Sequence, residues 1–113
     1  MTLEELLNLN FNGCDLGLHW REGSLSIFPV EAEASQRIPV LSFAAVSHPW
    51  AFLWEDHAQR WSDRLELLPR DRCRASGLDA KPVHDKIKVS FACKHPSGLL
   101  RWGFTTAGVT REA

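Results

Sequence analysis

No stretch of this 113-residue chain comes near the roughly 18 consecutive apolar residues that a membrane-spanning helix needs. The first ten residues, MTLEELLNLN, carry acidic side chains where a secretory signal has a basic start and a long apolar run. Cysteine is also scarce, because only three residues occur and they are widely spaced. An odd, scattered set of this kind does not make a disulfide framework. These absences predict a protein of a reducing compartment, and we expect it in the cytoplasm and not at a membrane.

An excess of charge of either sign is missing too. Thirteen basic and fourteen acidic residues leave a formal net charge of −1. Proteins that bind nucleic acid by electrostatic attraction usually carry a clear basic excess. A local basic patch is diluted by neighbouring aspartates; its members would be Arg70, Arg72, Arg74, Lys81, Lys86 and Lys88. Since no glycine-rich phosphate loop occurs either, we do not expect nucleic acid as the partner.

The chain also lacks the paired ligands of a metal site. A structural zinc site takes four ligands, usually as two close pairs, and no CxxC or HxxxH pair occurs. Only Cys93 and His95 bring two kinds of ligand close together. Cys93 falls in the inward-facing series of a predicted strand, where a small buried side chain is expected. No metal or other cofactor is predicted.

A catalytic nucleophile has little more support. Cys73 is the best candidate, because the arginines around it would lower the pKa of its thiol, and His57 or His84 could be the base. No glycine elbow or catalytic signature surrounds it. We therefore interpret Cys73 as an incidental thiol in an exposed loop, and the sequence favours a protein without catalytic activity.

Aromatic residues, in contrast, are plentiful: the chain has five tryptophans and six phenylalanines. Three tryptophans fall within Ser47–Pro69, where apolar residues recur every three or four positions. At about 100° per residue, one narrow face collects Trp50, Trp54, His57, Trp61, Leu65 and Leu68. Pro49 in the first turn and a proline at the end bound the pattern. It predicts a helix over residues 49–67, with Phe52 alone pointing into the polar face.

Strands are predicted on both sides of this helix. Residues 15–20 and 24–28 alternate between apolar and polar around a glycine turn, and residues 86–94 and 99–106 do so again. Each pair predicts a β-hairpin. Residues 40–46 form a short apolar run between two prolines, which favours a buried strand.

The remaining segments predict a short helix and surface connections. Thr2 and Glu5 have the spacing of a capping box, which predicts a short N-terminal helix. Residues 29–39 and 70–85 have the composition of loops, and a loose tail is predicted from about residue 107.

These elements predict the α+β class. We expect a single domain over residues 1–113, in which an antiparallel sheet of four to five strands forms one layer. The central Trp-rich helix would pack across this sheet as the second layer, beside the short N-terminal helix.

Many aromatic residues without a catalytic set favour protein binding. A domain this small cannot easily bury so many large rings, and tryptophan and arginine are residue types that anchor interfaces. We predict a non-catalytic protein-binding module, such as a small adaptor, inhibitor or escort protein. Its partner would be another protein or a second copy in a homodimer. The predicted contact residues are Trp20, Trp50, Phe52, Arg70, Arg72 and Arg74.

The alternative hypothesis is a small enzyme or small-molecule-binding domain. A curved sheet covered by one helix can enclose a pocket, and His57 on the Trp-bearing face would be its polar group. Burial would then tune the pKa of His57. A histidine packed in the core explains the same position. The substitution His57→Ala distinguishes the two hypotheses: it abolishes ligand binding and leaves the fold intact if His57 lines a pocket, and it disrupts the fold if His57 is a core residue.

Overall fold

The computed structural model describes residues 1–31 and 38–112. Within them the chain is almost entirely β: nine antiparallel strands form one sheet, beside one short α-helix and a 3₁₀ turn at Leu65–Leu67. The elements are α1 Leu3–Leu7, β1 Cys14–Arg21, β2 Ser24–Pro29, β3 Leu41–Ala44, β4 Ser47–Glu55, β5 Arg60–Asp63, β6 Arg72–Val83, β7 Lys86–His95, β8 Gly98–Thr106 and β9 Gly108–Arg111. No helix of these residues has the length and hydropathy to cross a membrane.

The sheet closes on itself where β3 continues into β4 and β8 into β9. Hydrogen-bonded neighbours follow the order β5-β4-β8-β7-β6-β1-β2-β3-β9. Along the chain β3 leads almost directly into β4, and β8 into β9, so the β3–β9 pair continues the β4–β8 pair. At the corner, the Ala107 N–H and the Thr106 hydroxyl both donate to the carbonyl oxygen of Ala44. The sheet therefore has an enclosed inner face and one outer face.

Large side chains from all round the sheet fill the interior. Trp102 is fully buried and stacks on Phe91, with 4.8 Å between the ring centroids. Phe104 meets Phe43 edge-on at 5.1 Å. Leu6 of α1 is also fully buried, and this docking stabilises a helix that is too short to persist alone.

The helix predicted over residues 49–67 is wrong, because β4, a turn, β5 and the 3₁₀ turn occupy that stretch. In β4, Ala51 and Leu53 are buried inside, whereas Trp50 and Phe52 lie on the outer face. Both faces of this strand carry apolar residues, so the alternation of apolar and polar positions that is typical of a strand is not visible in the sequence. Two tryptophans four positions apart instead give the spacing of one face of a helix. Phe52, the residue that does not fit the helical pattern, belongs to this alternation.

The α+β class is wrong for the same reason. The described residues contain no long helix to form a second layer. The sheet has nine strands instead of four or five, and it buries its apolar face against itself by closing. A sheet that closes in this way needs no helix to cover its core.

Two predicted loops are also strands. The connection predicted over residues 70–85 is β6, the longest strand, where Cys73 and Ala75 are buried between exposed polar residues. The tail predicted to be loose from about residue 107 contains β9, which pairs with β3. The middle of the loop predicted over residues 29–39 lies outside the described residues.

The clearly alternating segments are confirmed as strands. β1 and β2 form one hairpin, β7 and β8 form another, and β3 falls within the apolar run at residues 40–46. The capping box is confirmed as well. The Thr2 hydroxyl accepts from the Glu5 backbone N–H at 3.1 Å, and the Glu5 carboxylate accepts from the Thr2 N–H at 3.1 Å.

Candidate functional site

The outer face of β6, β7, β8 and β4 carries its side chains in rows, because directly opposed residues of neighbouring strands share a side. At one end, Lys81 stands opposite Lys88. At the other end, four residues further along the strands, Arg101 stands opposite Phe52. The row between them consists of Asp79, Ser90, Gly103 and Trp50.

A groove of about 560 Å³ follows these rows. We call it the aromatic–cationic groove. Its lining residues are Trp50, Phe52, Trp61, Asp79, Lys81, Lys88, Ser90 and Arg101. The volume is within the range of sites that take a small ligand or a few side chains of a partner.

Trp50 depends on a glycine for its position in this groove. Gly103 lies directly opposite it, and a Cβ there would come within 2.8 Å of the Trp50 ring and overlap the carbonyl oxygen of Val89. On the solvent side, the Lys88 ammonium lies 5.4 Å from the ring centroid, in a cation–π contact. A β-bulge precedes Trp50, with His48 at φ 53°, and bulges of this kind redirect the side chains that follow.

Positive charge in the groove is not compensated. Three cations, Lys81, Lys88 and Arg101, face one carboxylate, that of Asp79. Lys81 and Lys88 are directly opposed, an arrangement that destabilises a sheet. Among residues 1–31 and 38–112, none of the three cations forms an ion pair.

Two hydrogen-bond donors of the groove are also unsatisfied. The Arg101 Nε and Trp50 Nε1 atoms are enclosed and have no hydrogen-bond partner within the described part of the chain. An enclosed donor without a partner costs about 1–3 kcal/mol. The groove therefore offers uncompensated positive charge to a ligand, whereas these two enclosed donors would reach one only after a local rearrangement.

Phe52 and Trp61 form the rim on the side of β5, and 40% and 46% of their surfaces are exposed. Trp61 packs edge-on against Trp54, with 5.6 Å between centroids. Below them the buried Glu55 carboxylate accepts a hydrogen bond of 2.8 Å from Arg64. This hydrogen bond holds the pKa of Glu55 below its ordinary value, so an ion pair fastens the β4–β5 hairpin that carries the rim.

Only two of the residues predicted to contact a partner line this groove, namely Trp50 and Phe52. Trp20 and Arg70 line a separate hollow of about 470 Å³. There the half-buried Trp20 ring donates from Nε1 to the carbonyl oxygen of Pro69 at 2.9 Å.

The other two predicted contact residues, Arg72 and Arg74, are exposed on the first half of β6. Arg74 lies 3.4 Å from the Asp15 carboxylate. The arginines predicted to contact a partner are therefore not brought beside Trp50 and Phe52 of β4.

His57 lies in the exposed turn between β4 and β5. The pocket predicted between a helix and the sheet does not exist in the described residues, because no helix spans the sheet. The helix–sheet pocket of the alternative hypothesis is therefore absent from the described residues, and a role of His57 in ligand binding stays a prediction.

Cys73 is buried in β6, not exposed in a loop as predicted. Its sulfur lies 3.2 Å from that of Cys93 and accepts a hydrogen bond from Trp102 Nε1 at 3.3 Å. The hydrogen bond with Cys93 and then burial raise the pKa of the Cys73 thiol, which is the opposite of the lowering expected from nearby arginines. Cys93 is buried, as predicted.

Most residues of the groove are not among those predicted from the sequence. Trp61, Asp79, Ser90 and Arg101 were not among the predicted contacts, and Lys81 and Lys88 belonged only to the diluted basic patch. The alternation of β7 and β8 places Lys88, Ser90 and Arg101 on the outer side, which is a detectable signal. The pairing of β8 with β4, which brings Trp50 and Phe52 beside these residues, joins strands that are distant in the chain and is not readable from one sequence.

The chain matches no protein-family model, no curated protein and no solved structure. In the part of the chain that the structure describes, no group of three or more histidine, cysteine, aspartate or glutamate side chains is placed to hold a metal ion.

Proposed function

We propose that the protein is a non-catalytic protein-binding module and that a partner docks in the aromatic–cationic groove. The observation that carries the proposal is the convergence of three aromatic rings and three uncompensated cations on one outer face. Tryptophan and arginine are the residue types that most often carry binding energy in protein interfaces.

The form of the groove favours a protein over a small molecule. Phe52 and Trp61 keep much of their surface exposed, so the groove is open along its rim. Small-molecule pockets bury most of their ligand, whereas open apolar surface edged by polar groups is typical of protein-interaction sites.

The charge of the groove favours a different protein over a second copy. A two-fold dimer places the same surface of both copies together. The positively charged groove of one copy would then lie against the positively charged groove of the other, and like charges in contact oppose association. A homodimer through this groove is therefore disfavoured, and a partner of opposite charge is favoured.

The experiment is site-specific photo-crosslinking in the source cells. A photoreactive phenylalanine analogue is placed at position 52 in the groove or at position 28, where Phe28 has a similar exposure of 38% but lines no part of the groove. A defined protein adduct is expected from position 52 and not from position 28.

The crosslinked partner is then purified, and its affinity for the full chain is measured by calorimetry. Phe52→Ala is expected to weaken binding by about tenfold and Phe28→Ala by less than about twofold. The proposal is overturned if the purified partner does not bind, or if the two substitutions weaken binding equally. An adduct between two copies of this chain would replace it with a homodimer.

A further inference from the structure

The cations of the groove form two separate groups. Lys81 and Lys88 face each other at one end. Lys88 is opposite Thr105 of β8, and Arg101 lies four residues away on the same strand. Four residues of an extended strand span about 13 Å. Two anionic groups with the spacing of residues four apart in an extended chain therefore match the groove better than a single anion does.

The surface between these two groups is suited to an uncharged side chain. Its floor is the flat Trp50 ring, which covers Gly103, with Ser90 beside it. Phe52 continues this apolar surface next to Arg101. Asp79 lies in the same middle row, so a negative charge placed there would face a carboxylate.

We propose that the segment that docks in the groove is acidic and extended. One aspartate or glutamate carboxylate lies against Lys81 and Lys88, and a second, about four residues away, lies against Arg101. An apolar or aromatic side chain between them packs on Trp50. The inference rests on the proposed function and gives the partner its chemistry.

This pattern distinguishes an acidic peptide from single-stranded nucleic acid. A nucleic acid carries a phosphate at every step and would bring one past Asp79. Its binding also relies on a groove with continuous positive charge, whereas here three cations stand in a chain of net charge −1. Carboxylates in two positions, with an apolar residue between them, match the charges of the groove.

The test is selection of random linear peptides displayed on phage against the immobilised full-length protein. Recovered peptides are expected to carry two acidic residues about four positions apart around an apolar or aromatic residue. A synthetic copy of the best peptide is then titrated against Lys88→Gln and Arg101→Gln. Each substitution is expected to weaken binding by about tenfold, since each removes a charge-assisted contact.

Lys94→Gln is the matched control, because Lys94 is an exposed lysine on the same face of β7 and outside the groove. It is expected to change the affinity by less than about twofold. Replacing either acidic residue of the peptide by glutamine should weaken its binding to the wild-type protein. The replacement of the carboxylate that contacts Arg101 should have little further effect on binding to Arg101→Gln, because that contact is already lost. Urea unfolding of each variant verifies that the fold is intact.

The outcomes separate the two proposals. Peptides that need Trp50 and Phe52 but show no acidic preference, with Lys88→Gln and Arg101→Gln behaving like Lys94→Gln, overturn the acidic segment and leave protein binding standing. Failure to recover any peptide that needs Trp50 or Phe52, together with no adduct at position 52, overturns both. An oligothymidylate that binds more tightly than the best peptide, and loses affinity in Arg101→Gln, replaces the peptide with nucleic acid.

Discussion

The outer face of the sheet has two places where an aromatic ring covers a glycine on the neighbouring strand. Trp50 lies opposite Gly103 between β4 and β8, and Phe28 lies opposite Gly17 between β2 and β1. In both, a Cβ on the glycine would meet the ring. This cross-strand pairing is a packing device of sheets, and by itself it does not indicate a binding site.

The two places differ in their charged neighbours. Arg72 of β6 lies opposite Gly17, and Arg74, two residues further along β6, is paired with the Asp15 carboxylate. Around Trp50, no cation of the groove has such a partner in the described residues. Phe28 also lines neither the groove nor the second hollow. Uncompensated charge in a concave surface, and not aromatic exposure alone, is therefore what distinguishes the candidate site.

The largest expected effect concerns the two glycines. In Gly103→Ala the new Cβ would overlap the Val89 carbonyl oxygen, which is backbone, whereas in Gly17→Ala it meets only the movable Phe28 ring. We expect a loss of about 3 kcal/mol of unfolding free energy for Gly103→Ala and about 1 kcal/mol for Gly17→Ala, measured by urea unfolding. The double variant Gly17→Ala/Phe28→Ala should recover part of the smaller loss. Equal losses at the two glycines would contradict this account.

The next effect is on partner binding. Trp50→Ala removes the floor of the groove and its cation–π contact, so we expect the affinity for the crosslinked partner or the selected peptide to fall by about 2 kcal/mol, roughly thirtyfold. Phe28→Ala should leave the affinity unchanged. Calorimetry measures both. Similar losses from the two substitutions would mean that the groove has no special role.

A smaller effect is expected in the free protein when the opposed lysines are separated. Lys81→Gln removes a like-charge repulsion and should raise the unfolding free energy by about 0.5 kcal/mol at low salt. Added salt should abolish this gain, because it screens exposed charges. Arg74→Gln, which removes one partner of an ion pair, should give no gain. A lower stability of Lys81→Gln would indicate that Asp79 or another group already compensates the charge.

The smallest effect is the acid sensitivity of the groove's rim. The hydrogen bond from Arg64 lowers the pKa of Glu55 in the folded protein below the ordinary value of 4.5. The stability that this hydrogen bond contributes is fully present above pH 4.5, and it is lost as the pH falls through the lowered pKa of Glu55 in the folded protein. Glu55→Gln should therefore flatten the acid side of a plot of urea midpoint against pH. Glu66→Gln is the control, since its carboxylate is exposed and 3.8 Å from the same arginine. Parallel curves for Glu55→Gln and the wild type would refute the assignment.

Local patterns predicted those elements whose two faces differ in polarity. In β7 the outer Lys88 and Ser90 alternate with the inner Val89 and Phe91, so the strand is evident without any knowledge of its neighbours. In β4 the alternation separates one apolar set from another, and the helical interpretation prevailed. The candidate site has the same limit: Trp50 and Phe52 were predicted as contact residues, but the cationic residues that line the groove with them were not.

By itself, the sequence determined the capping box at Thr2, the β1–β2 and β7–β8 hairpins and the burial of Cys93, because these depend on residues close together in the chain. Only the tertiary structure decided that Ser47–Pro69 is not a helix, since β4 becomes a strand by pairing with β8 on one side and β5 on the other. The tertiary structure also decided which residues come together to line the groove. The β7–β8 hairpin, which carries Lys88 and Arg101, lies beside Trp50 because β8 pairs with β4, and these two strands are far apart in the chain.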